Sequence, residues 1–252
     1  MSTEETFISH LVELRERLMR SLIAFGLVFI CLFFWANDLY DLLAAPLISQ
    51  LPAGGQMIAT DVATPFFVPM KVAMMAAFLI CLPYILWQFW GFVAPGLYTH
   101  EKKLAVPLVI TSTILFFCGM AFAYFLVLPT VFHFIVKIAP KGVAVMTDIN
   151  KYLDFVLGMF VAFGVTFEVP VVVVILVKMG MVSVQKLREI RSYVIVGAFV
   201  VGAIFTPPDV VSQIMLAVPL CILYELGIIA AAMMTKPVKS DALSVAETDI
   251  DK

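Results

Sequence analysis

Charged residues are scarce in this chain of 252 residues: they make up 13% of it, whereas hydrophobic residues make up 63%. The mean hydropathy is +1.06. Because a soluble domain is about a quarter charged, this composition excludes a water-soluble globule and a disordered chain. Sixteen basic residues against eighteen acidic ones leave a net charge of −2, which gives no positive excess for binding nucleic acid. The composition therefore predicts an all-α polytopic membrane protein whose apolar surface faces lipid.

Cysteine is also rare, and the sequence has no motif for a metal ion or a nucleotide. The four cysteines each stand alone in an apolar stretch, with no CxxC pair. The pair His100-Glu101 opens like the zinc motif HExxH, but the fifth residue is Leu104. A GxxxxGK phosphate loop is absent as well. We therefore expect no cofactor, no bound metal and no disulfide.

Six windows with almost no charge predict six transmembrane helices, since a bilayer core of about 30 Å needs about 20 helical residues. The stretch 42–60 also lacks charge, but prolines and a Gly-Gly pair predict a long structured loop with short helical turns over 38–70. Pro129 is expected to end the third helix. The fifth and sixth helices are expected to be short, and Tyr193–Phe205 would cover only about 20 Å. The windows are Ser21–Asn37, Val72–Thr99, Leu104–Val136, Phe155–Val177, Ser192–Pro208 and Val210–Thr235.

Six crossings place both termini on one side of the membrane, and the basic residues indicate which side that is. With the N-terminus inside, twelve of the sixteen basic residues lie on the inner side and four on the outer side. This is the bias of the positive-inside rule, so the predicted topology is N-in and C-in. One domain would cover residues 1–235, with an inner amphipathic segment 1–20, outer loops 38–70 and 129–153, inner loops 91–105 and 178–192, and a disordered inner tail 236–252.

Two acidic residues on the inner side are candidates for binding a cation. Glu13 lies in the amphipathic segment, four residues before Arg17, and Glu101 follows the predicted turn at Pro95-Gly96. A purely structural role stays open for both residues. Glu13 and Arg17 have the spacing of an ordinary helix pair, and Glu101 suits the positive end of the next helix dipole.

Glu168 is the most unusual residue of the sequence, because it lies near the middle of the fourth predicted span. A charged side chain there costs about 2.5–3.5 kcal/mol on insertion scales. Pro170 removes a backbone donor and frees the carbonyl of Thr166. This polar spot predicts either a helix–helix hydrogen bond inside the bundle or a contact surface for a partner. The other polar residues noted in the last spans are Glu225, Asp209 and Gln213.

Eight stretches carry a resemblance that covers nearly the whole chain except the tail. They are HLVELRERL (10–18), AAPLI (44–48), MIATDVATPF (57–66), APGLYTHEKK (94–103), GMAFAYF (119–125), AFGVTFEVPV (162–171), VGAFVVGAIFTPPD (196–209) and SQIMLAVPL (212–220). This set resembles the TatC family, the polytopic subunit of the twin-arginine protein translocase. The resemblance implies a receptor for the signal peptides of folded cargo proteins, exported with the proton-motive force. It also implies the bacterial inner membrane, with both termini cytoplasmic.

The resemblance also implies roles for individual residues. In the TatC family two inner glutamates bind the paired arginines of the signal peptide, and the matching positions are Glu13 and Glu101. The arginine fork suits a carboxylate, because it donates two hydrogen bonds to it. The family's buried glutamate, which contacts TatA-type and TatB-type single-span subunits in a multi-copy complex, matches Glu168. The implied residues are Glu13, Arg15, Phe92, Glu101, Lys102 and Lys103 for signal-peptide binding, Glu168, Thr166, Asp209 and Gln213 for partner contact, and Pro46, Pro83, Tyr124 and Pro170 for structure.

Two other functions are conceivable for a polytopic membrane protein. A secondary transporter of small solutes would use Glu168 and Asp209 as proton-linked sites, but the sequence shows no internal repeat. An intramembrane protease would need GxSxG, HExxH or a pair of membrane aspartates, none of which is present in the sequence. We therefore expect a binding and assembly protein that is not an enzyme.

Overall fold

The computed structural model describes residues 3–48, 57–97, 105–138, 147–205 and 210–234, and these ranges are almost entirely helical. The predicted tail 236–252 lies outside them. The helices are α1 (Thr3–Leu32), α2 (Ala36–Ile48), α3 (Thr64–Leu97), α4 (Ala105–Phe122), α5 (Leu128–Ile138), α6 (Ile149–Phe167), α7 (Val169–Lys178), α8 (Val184–Glu189), α9 (Arg191–Phe205) and α10 (Val210–Met234).

The described helices confirm the prediction of an all-α protein with several membrane spans. Five stretches are long and apolar enough to cross a membrane: Ser9–Ala44, Thr64–Val93, Val106–Phe134, Ile149–Lys178 and Val210–Met234. The fifth predicted span is α9, whose 15 residues agree with the expected shortness. The last span does not, because α10 has 25 residues and continues through Pro219. The N-in and C-in topology stays a prediction.

Helical structure extends further into the predicted loops than the sequence indicated. α2 occupies the first part of the predicted outer loop 38–70, and only a 3-10 turn, Phe33–Trp35, separates it from α1. The helix forms because leucine and alanine dominate this segment and its first proline, Pro46, comes in the last turn. α3 likewise continues to Leu97, beyond the start of the predicted inner loop 91–105.

The prediction that Pro129 ends the third helix is wrong. The chain stays helical to Ile138, because a π turn, Ala123–Val127, comes immediately before the proline. In that turn the amide of Leu128 donates to the carbonyl of Ala123, five residues back. The wider turn shifts the register at the place where the proline ring would clash with the preceding turn of a regular helix.

The spans pack against one another in a row. α1 packs on α3, α3 on α4, α4 on α6, α7 on α10, and α10 on α9. The largest core cluster lies where α4, the π turn and α5 meet α6, and it includes Val127, Met159 and Phe163. α1 lies at the edge of this row, since no residue of its most apolar 18-residue stretch is buried. Most of α1 therefore presents its side chains outward, and its contacts with α3 hold it in place.

α4 and α6 approach each other closely because each has a glycine at the contact. A Cβ atom at Gly119 of α4 would lie 2.5 Å from the backbone oxygen of Phe163. A Cβ atom at Gly164 of α6 would lie 2.5 Å from the ring of Phe116. Membrane helices pack through small residues in this way, since the hydrophobic effect does not drive helices together inside lipid.

Replacing Gly119 by alanine is expected to destabilise the purified protein by about 1–3 kcal/mol, because the added methyl group forces α4 away from the backbone of α6. Thermal unfolding in detergent measures the change. Gly158→Ala is the matched control, because a Cβ atom at Gly158 of α6 would meet nothing within 4 Å. That control should unfold at the same temperature or higher. Equal destabilisation by both substitutions would contradict the close contact.

Asp148 connects the two predicted outer loops through hydrogen bonds. It caps α6 by accepting hydrogen bonds from the amides of Asn150 and Lys151 at 2.9 and 3.0 Å. Its other oxygen accepts from the hydroxyl of Thr60 at 2.6 Å. These hydrogen bonds, that from Thr60 foremost, hold the pKa of Asp148 below its ordinary value. A parallel bridge between Ile58 and Asp148 adds backbone pairing, so the segment before α3 and the start of α6 are fixed together.

Candidate functional site

A group of polar and aromatic side chains joins the first half of α1 to the last part of α3. On α1 the residues lie three and four positions apart, and on α3 the second and third residues follow the first by three and four positions, so each set shares one face of its helix. We call this group the inner cluster; it consists of His10, Glu13 and Arg17 on α1 and Gln88, Gly91 and Phe92 on α3.

Within the described part of the chain, Glu13 is bonded through one of its two carboxylate oxygens. Its Oε1 accepts from Nε of Arg17 at 2.9 Å and from Nη2 of the same residue at 2.7 Å. Its Oε2 lies 3.9 Å from Nδ1 of His10, which is too long for a hydrogen bond. The side chain of Glu13 is 36% exposed. The carboxylate is therefore partly reachable from outside, although Arg17 already occupies one oxygen.

Gln88 is a member of this cluster that sequence reasoning missed. Its side-chain oxygen accepts from Nη1 of Arg17 at 3.4 Å, and the residue is only 8% exposed. The sequence does offer one signal for Gln88: its amide stands alone among the aromatic residues Trp87, Phe89 and Trp90, in a span that is otherwise apolar. A buried amide needs a partner, and Arg17 supplies it from another helix.

Phe92 and Glu13 both lie next to His10, and the roles predicted for them stay predictions. The Phe92 ring stacks on His10 with a centroid distance of 4.1 Å and an interplanar angle of 17°. Arg15 is exposed on the same helix. The remaining residues predicted for signal-peptide binding, Glu101, Lys102 and Lys103, lie outside the described residues.

Glu168 lies at a break in the fourth span, between α6 and α7. Its amide donates to the carbonyl of Val165 at 3.1 Å, and its carbonyl accepts from the amide of Val172 at 3.0 Å. Pro170 follows in the first turn of α7 and cannot continue the hydrogen bonds of α6. The break itself was not predicted, and the carbonyl of Thr166, which was expected to be free, accepts from the amide of Glu168. The break places the acidic side chain at the junction of two helices within the most hydrophobic part of the chain.

The carboxylate of Glu168 is covered but has no hydrogen-bond partner among the described residues. The hydroxyl of Ser112 on α4 faces it without meeting the geometry of a hydrogen bond. That hydroxyl already accepts from Nε1 of Trp90 at 3.2 Å. Thr166, predicted at the same site, is 3% exposed. An unpartnered buried carboxylate of this kind costs free energy in the isolated chain.

The polar residues of the last two spans lie in separate places. Gln213 on α10 donates to the carbonyl of Phe199 on α9 at 3.3 Å. Glu225 accepts from Arg191 at 2.6 Å, so it is an ion pair rather than a lone charge. Asp209 lies outside the described residues. Among the parts of the chain that are described, no group of histidine, cysteine and acidic residues could hold a metal ion.

Tyr124 lies in the π turn and lines an apolar cavity of about 480 Å³ between α2, α3 and α4. Its ring packs on those of Phe125 and Phe160, at centroid distances of 5.0 and 6.2 Å. Pro170 packs closely against α10. A Cβ atom at Gly227 of α10 would lie 2.9 Å from the Cα atom of Pro170. Pro83 lies within α3, which continues through it. The structural roles assigned to these residues stay predictions.

Comparisons with known proteins agree with the fold and the sequence stretches. Residues 9–219 match the family described as TatC, the Sec-independent protein translocase protein. The chain is 54% identical over 230 residues to TatC of Escherichia coli strain K12, covering 90% of this chain and 89% of that protein. It is 51% identical over 227 residues to TatC of Haemophilus influenzae, with coverage of 90% and 89%.

A solved structure gives the same result. The crystal structure of a twin-arginine translocase receptor, TatC, superposes with a TM-score of 0.80 and is 38% identical. The match covers 90% of this chain and 100% of that one. These relatives are named as components of a protein translocase, which is a transport protein rather than a catalytic enzyme. The chain therefore belongs to the TatC family of Sec-independent protein translocase proteins.

Proposed function

We propose that the inner cluster and Glu101 bind the two arginines of a twin-arginine signal peptide, on the cytoplasmic side of the bacterial inner membrane. The observation that carries this proposal is the state of Glu13. Its carboxylate is bonded to Arg17 of the same helix and is partly exposed, and among the described residues Oε2 has no close hydrogen bond. A guanidinium group can reach this oxygen and donate to it with the strength of a charge-assisted hydrogen bond.

The neighbours of Glu13 fit a guanidinium better than a simple cation. The ring of Phe92 stacks on that of His10, whose Nδ1 lies 3.9 Å from the carboxylate, and guanidinium planes pack well on aromatic faces. α3 ends at Leu97, close in sequence to Glu101, which would supply the second carboxylate. We assign Arg15, Lys102 and Lys103 to the rim of the site, where their charge disfavours weakly held cations.

A second contact, with single-span TatA-type or TatB-type subunits, is proposed for Glu168. Its buried and unpartnered carboxylate supports this, because a polar side chain from a neighbouring helix would remove the cost of leaving it unsatisfied. The residue itself is only half-buried, so its side chain can turn toward such a helix. Gln213 and Asp209 would extend the contact along α10, and Thr166 would line it.

As a TatC-family member, the chain is a subunit of a Sec-independent protein translocase. We propose that it serves as the receptor and assembly core of a multi-copy complex, with both termini in the cytoplasm. The proton-motive force would then drive the passage of folded cargo. The bias of twelve basic residues to the inner side supports this topology.

Photo-crosslinking tests the binding site. A twin-arginine signal peptide carries a diazirine residue beside its arginines, and the crosslinked positions in the full chain are mapped by mass spectrometry. We expect crosslinks to the first half of α1 and to the segment that contains Glu101. A twin-lysine peptide is the control and should crosslink weakly. Crosslinks confined to other parts of the chain, or equal crosslinking of both peptides, would overturn the proposal.

A further inference from the structure

The segment that joins α7 to α9 carries an excess of positive charge. Residues 178–191 contain four of the sixteen basic residues and one acidic residue. The first part of α1 is different, because residues 3–20 contain four acidic residues and three basic ones, so their charges largely balance. We call residues 178–191 the basic loop. Its basic residues are Lys178, Lys186, Arg188 and Arg191.

Two of these four cations have no ion-pair partner among the described residues. Arg191 is paired with Glu225 at 2.6 Å. Lys186 forms a mostly exposed pair, at 3.3 Å, within α8. No such pair is present in the described ranges for Lys178 or Arg188. The basic loop can therefore accept negative charge from outside the chain.

The short helix α8 holds basic side chains on its outer face. It begins after Ser183, whose hydroxyl accepts from the amide of Lys186 at 3.1 Å. Leu187 is its inward residue: it is 3% exposed, and its carbonyl accepts from the hydroxyl of Tyr224 at 2.8 Å. Lys186 and Arg188 flank this inward residue, and both are exposed. The packing on α10 thus fixes the backbone that carries the two cations.

The basic loop lies where two apolar helices end, next to surface that faces lipid. The candidate span Ile149–Lys178 ends at its first residue, and α9 begins at its last residue. Tyr193, in the first turn of α9, is 79% exposed, and Val196 in the next turn is exposed as well. An exposed tyrosine at the end of a span is typical of the level of the lipid headgroups. The cations and the apolar side chains therefore adjoin each other at this level.

We propose that the basic loop binds the headgroup of an anionic phospholipid, whose acyl chains lie along the exposed side chains of α9. A phosphate group accepts forked hydrogen bonds from arginine and attracts lysine as a point charge. Basic residues beside a span are suited to anionic headgroups. A soluble phosphate or an acidic protein segment would use the charge of the loop but not the apolar surface at Tyr193 and Val196. This lipid site is separate from the inner cluster and does not depend on its role.

Photoactivatable lipids test for this site in the full chain, reconstituted in phosphatidylcholine nanodiscs. One probe is phosphatidylglycerol with a diazirine in an acyl chain. The other is phosphatidylcholine with the same chains, which has no net charge. Mass spectrometry identifies the labelled residues. We expect phosphatidylglycerol to label the first turns of α9 about tenfold more strongly than phosphatidylcholine, since each basic residue near an anionic headgroup contributes about fivefold.

The double variant Lys178→Gln/Arg188→Gln removes the two cations that lack an ion pair, and the preference for phosphatidylglycerol should nearly vanish. Lys137→Gln/Lys151→Gln is the matched control. It removes the same charge from two other exposed lysines, outside the basic loop, and should keep the preference. A preference that survives in the folded Lys178→Gln/Arg188→Gln variant would overturn the proposal.

The wild-type chain alone can also overturn it. Equal labelling of α9 by both lipids would show that the charge of the headgroup does not matter, and would leave an acidic protein segment as the partner of the basic loop. An excess of soluble glycerol phosphate separates the lipid from its headgroup. It should leave the labelling unchanged, because it has no acyl chain, and full competition would contradict a lipid site.

Discussion

Replacing Glu13 by glutamine is expected to stop export of a folded twin-arginine reporter almost completely. The substitution keeps the shape of the side chain but removes the charge that attracts a guanidinium. Truncating one partner of a hydrogen-bonded charge pair at an interface costs about 2–5 kcal/mol, which corresponds to about thirtyfold or more in affinity. Arg17 and Gln88 would also lose part of their hydrogen bonding. The measurement is the amount of exported reporter in cells whose only TatC-family protein is the variant.

Glu16→Gln is the control for this experiment. Glu16 lies three residues further along α1, is 61% exposed and pairs with Arg20 at 3.4 Å. An exposed pair of this kind contributes at most about 1 kcal/mol, so export should continue at close to the normal rate. If Glu16→Gln stopped export as fully as Glu13→Gln, general charge on α1 would matter and the inner cluster would not.

Replacing Glu168 by leucine is expected to separate stability from function. The isolated protein should become more stable by about 1–3 kcal/mol, because the change removes a buried carboxylate that has no hydrogen-bond partner among the described residues. Recovery of the single-span partners in a co-purification should fall by about five- to thirtyfold, the value of an interhelical hydrogen bond of about 1–2 kcal/mol. Thermal unfolding and quantitative co-purification measure the two effects, and signal-peptide binding should stay normal.

Thr113→Val controls for the loss of a polar group within a span. The hydroxyl of Thr113 on α4 donates only to its own helix, at the carbonyl of Val109 and 2.7 Å away. This variant should keep both its stability and its partners. If Glu168→Leu destabilised the protein and weakened peptide binding and partner recovery equally, Glu168 would be an ordinary core residue.

The features that the sequence predicted well are those that depend on neighbours along the chain. Apolar windows identified the spans because each must be about 20 residues of hydrophobic helix. The break at Glu168 was not itself predicted, although Pro170 was expected to remove a backbone donor there. The resemblance implies signal-peptide binding for Glu13 and Phe92; both lie in the inner cluster, and their roles stay predictions. The ion pair that the four-residue spacing of Glu13 and Arg17 predicted is present.

The features that the sequence did not predict depend on contacts between distant residues. Gln88 is 71 positions from Arg17, so no local pattern reveals that they bond. Gly91 has no side chain, and its role is visible only in the guanidinium that fills the space beside it. The predicted helix end at Pro129 was wrong because a π turn just before the proline lets the helix continue through it. Tertiary packing decides all three.

A thermodynamic double-mutant cycle between Glu13 and the arginines of the signal peptide tests the central claim most directly. Affinities are measured for the wild-type chain and Glu13→Gln, each with a twin-arginine peptide and with peptides in which one arginine is glutamine. A direct contact predicts a coupling free energy of about 1.5 kcal/mol or more between Glu13 and one of the two arginines. Additive losses with both peptides would show that Glu13 contacts neither arginine and would contradict the account.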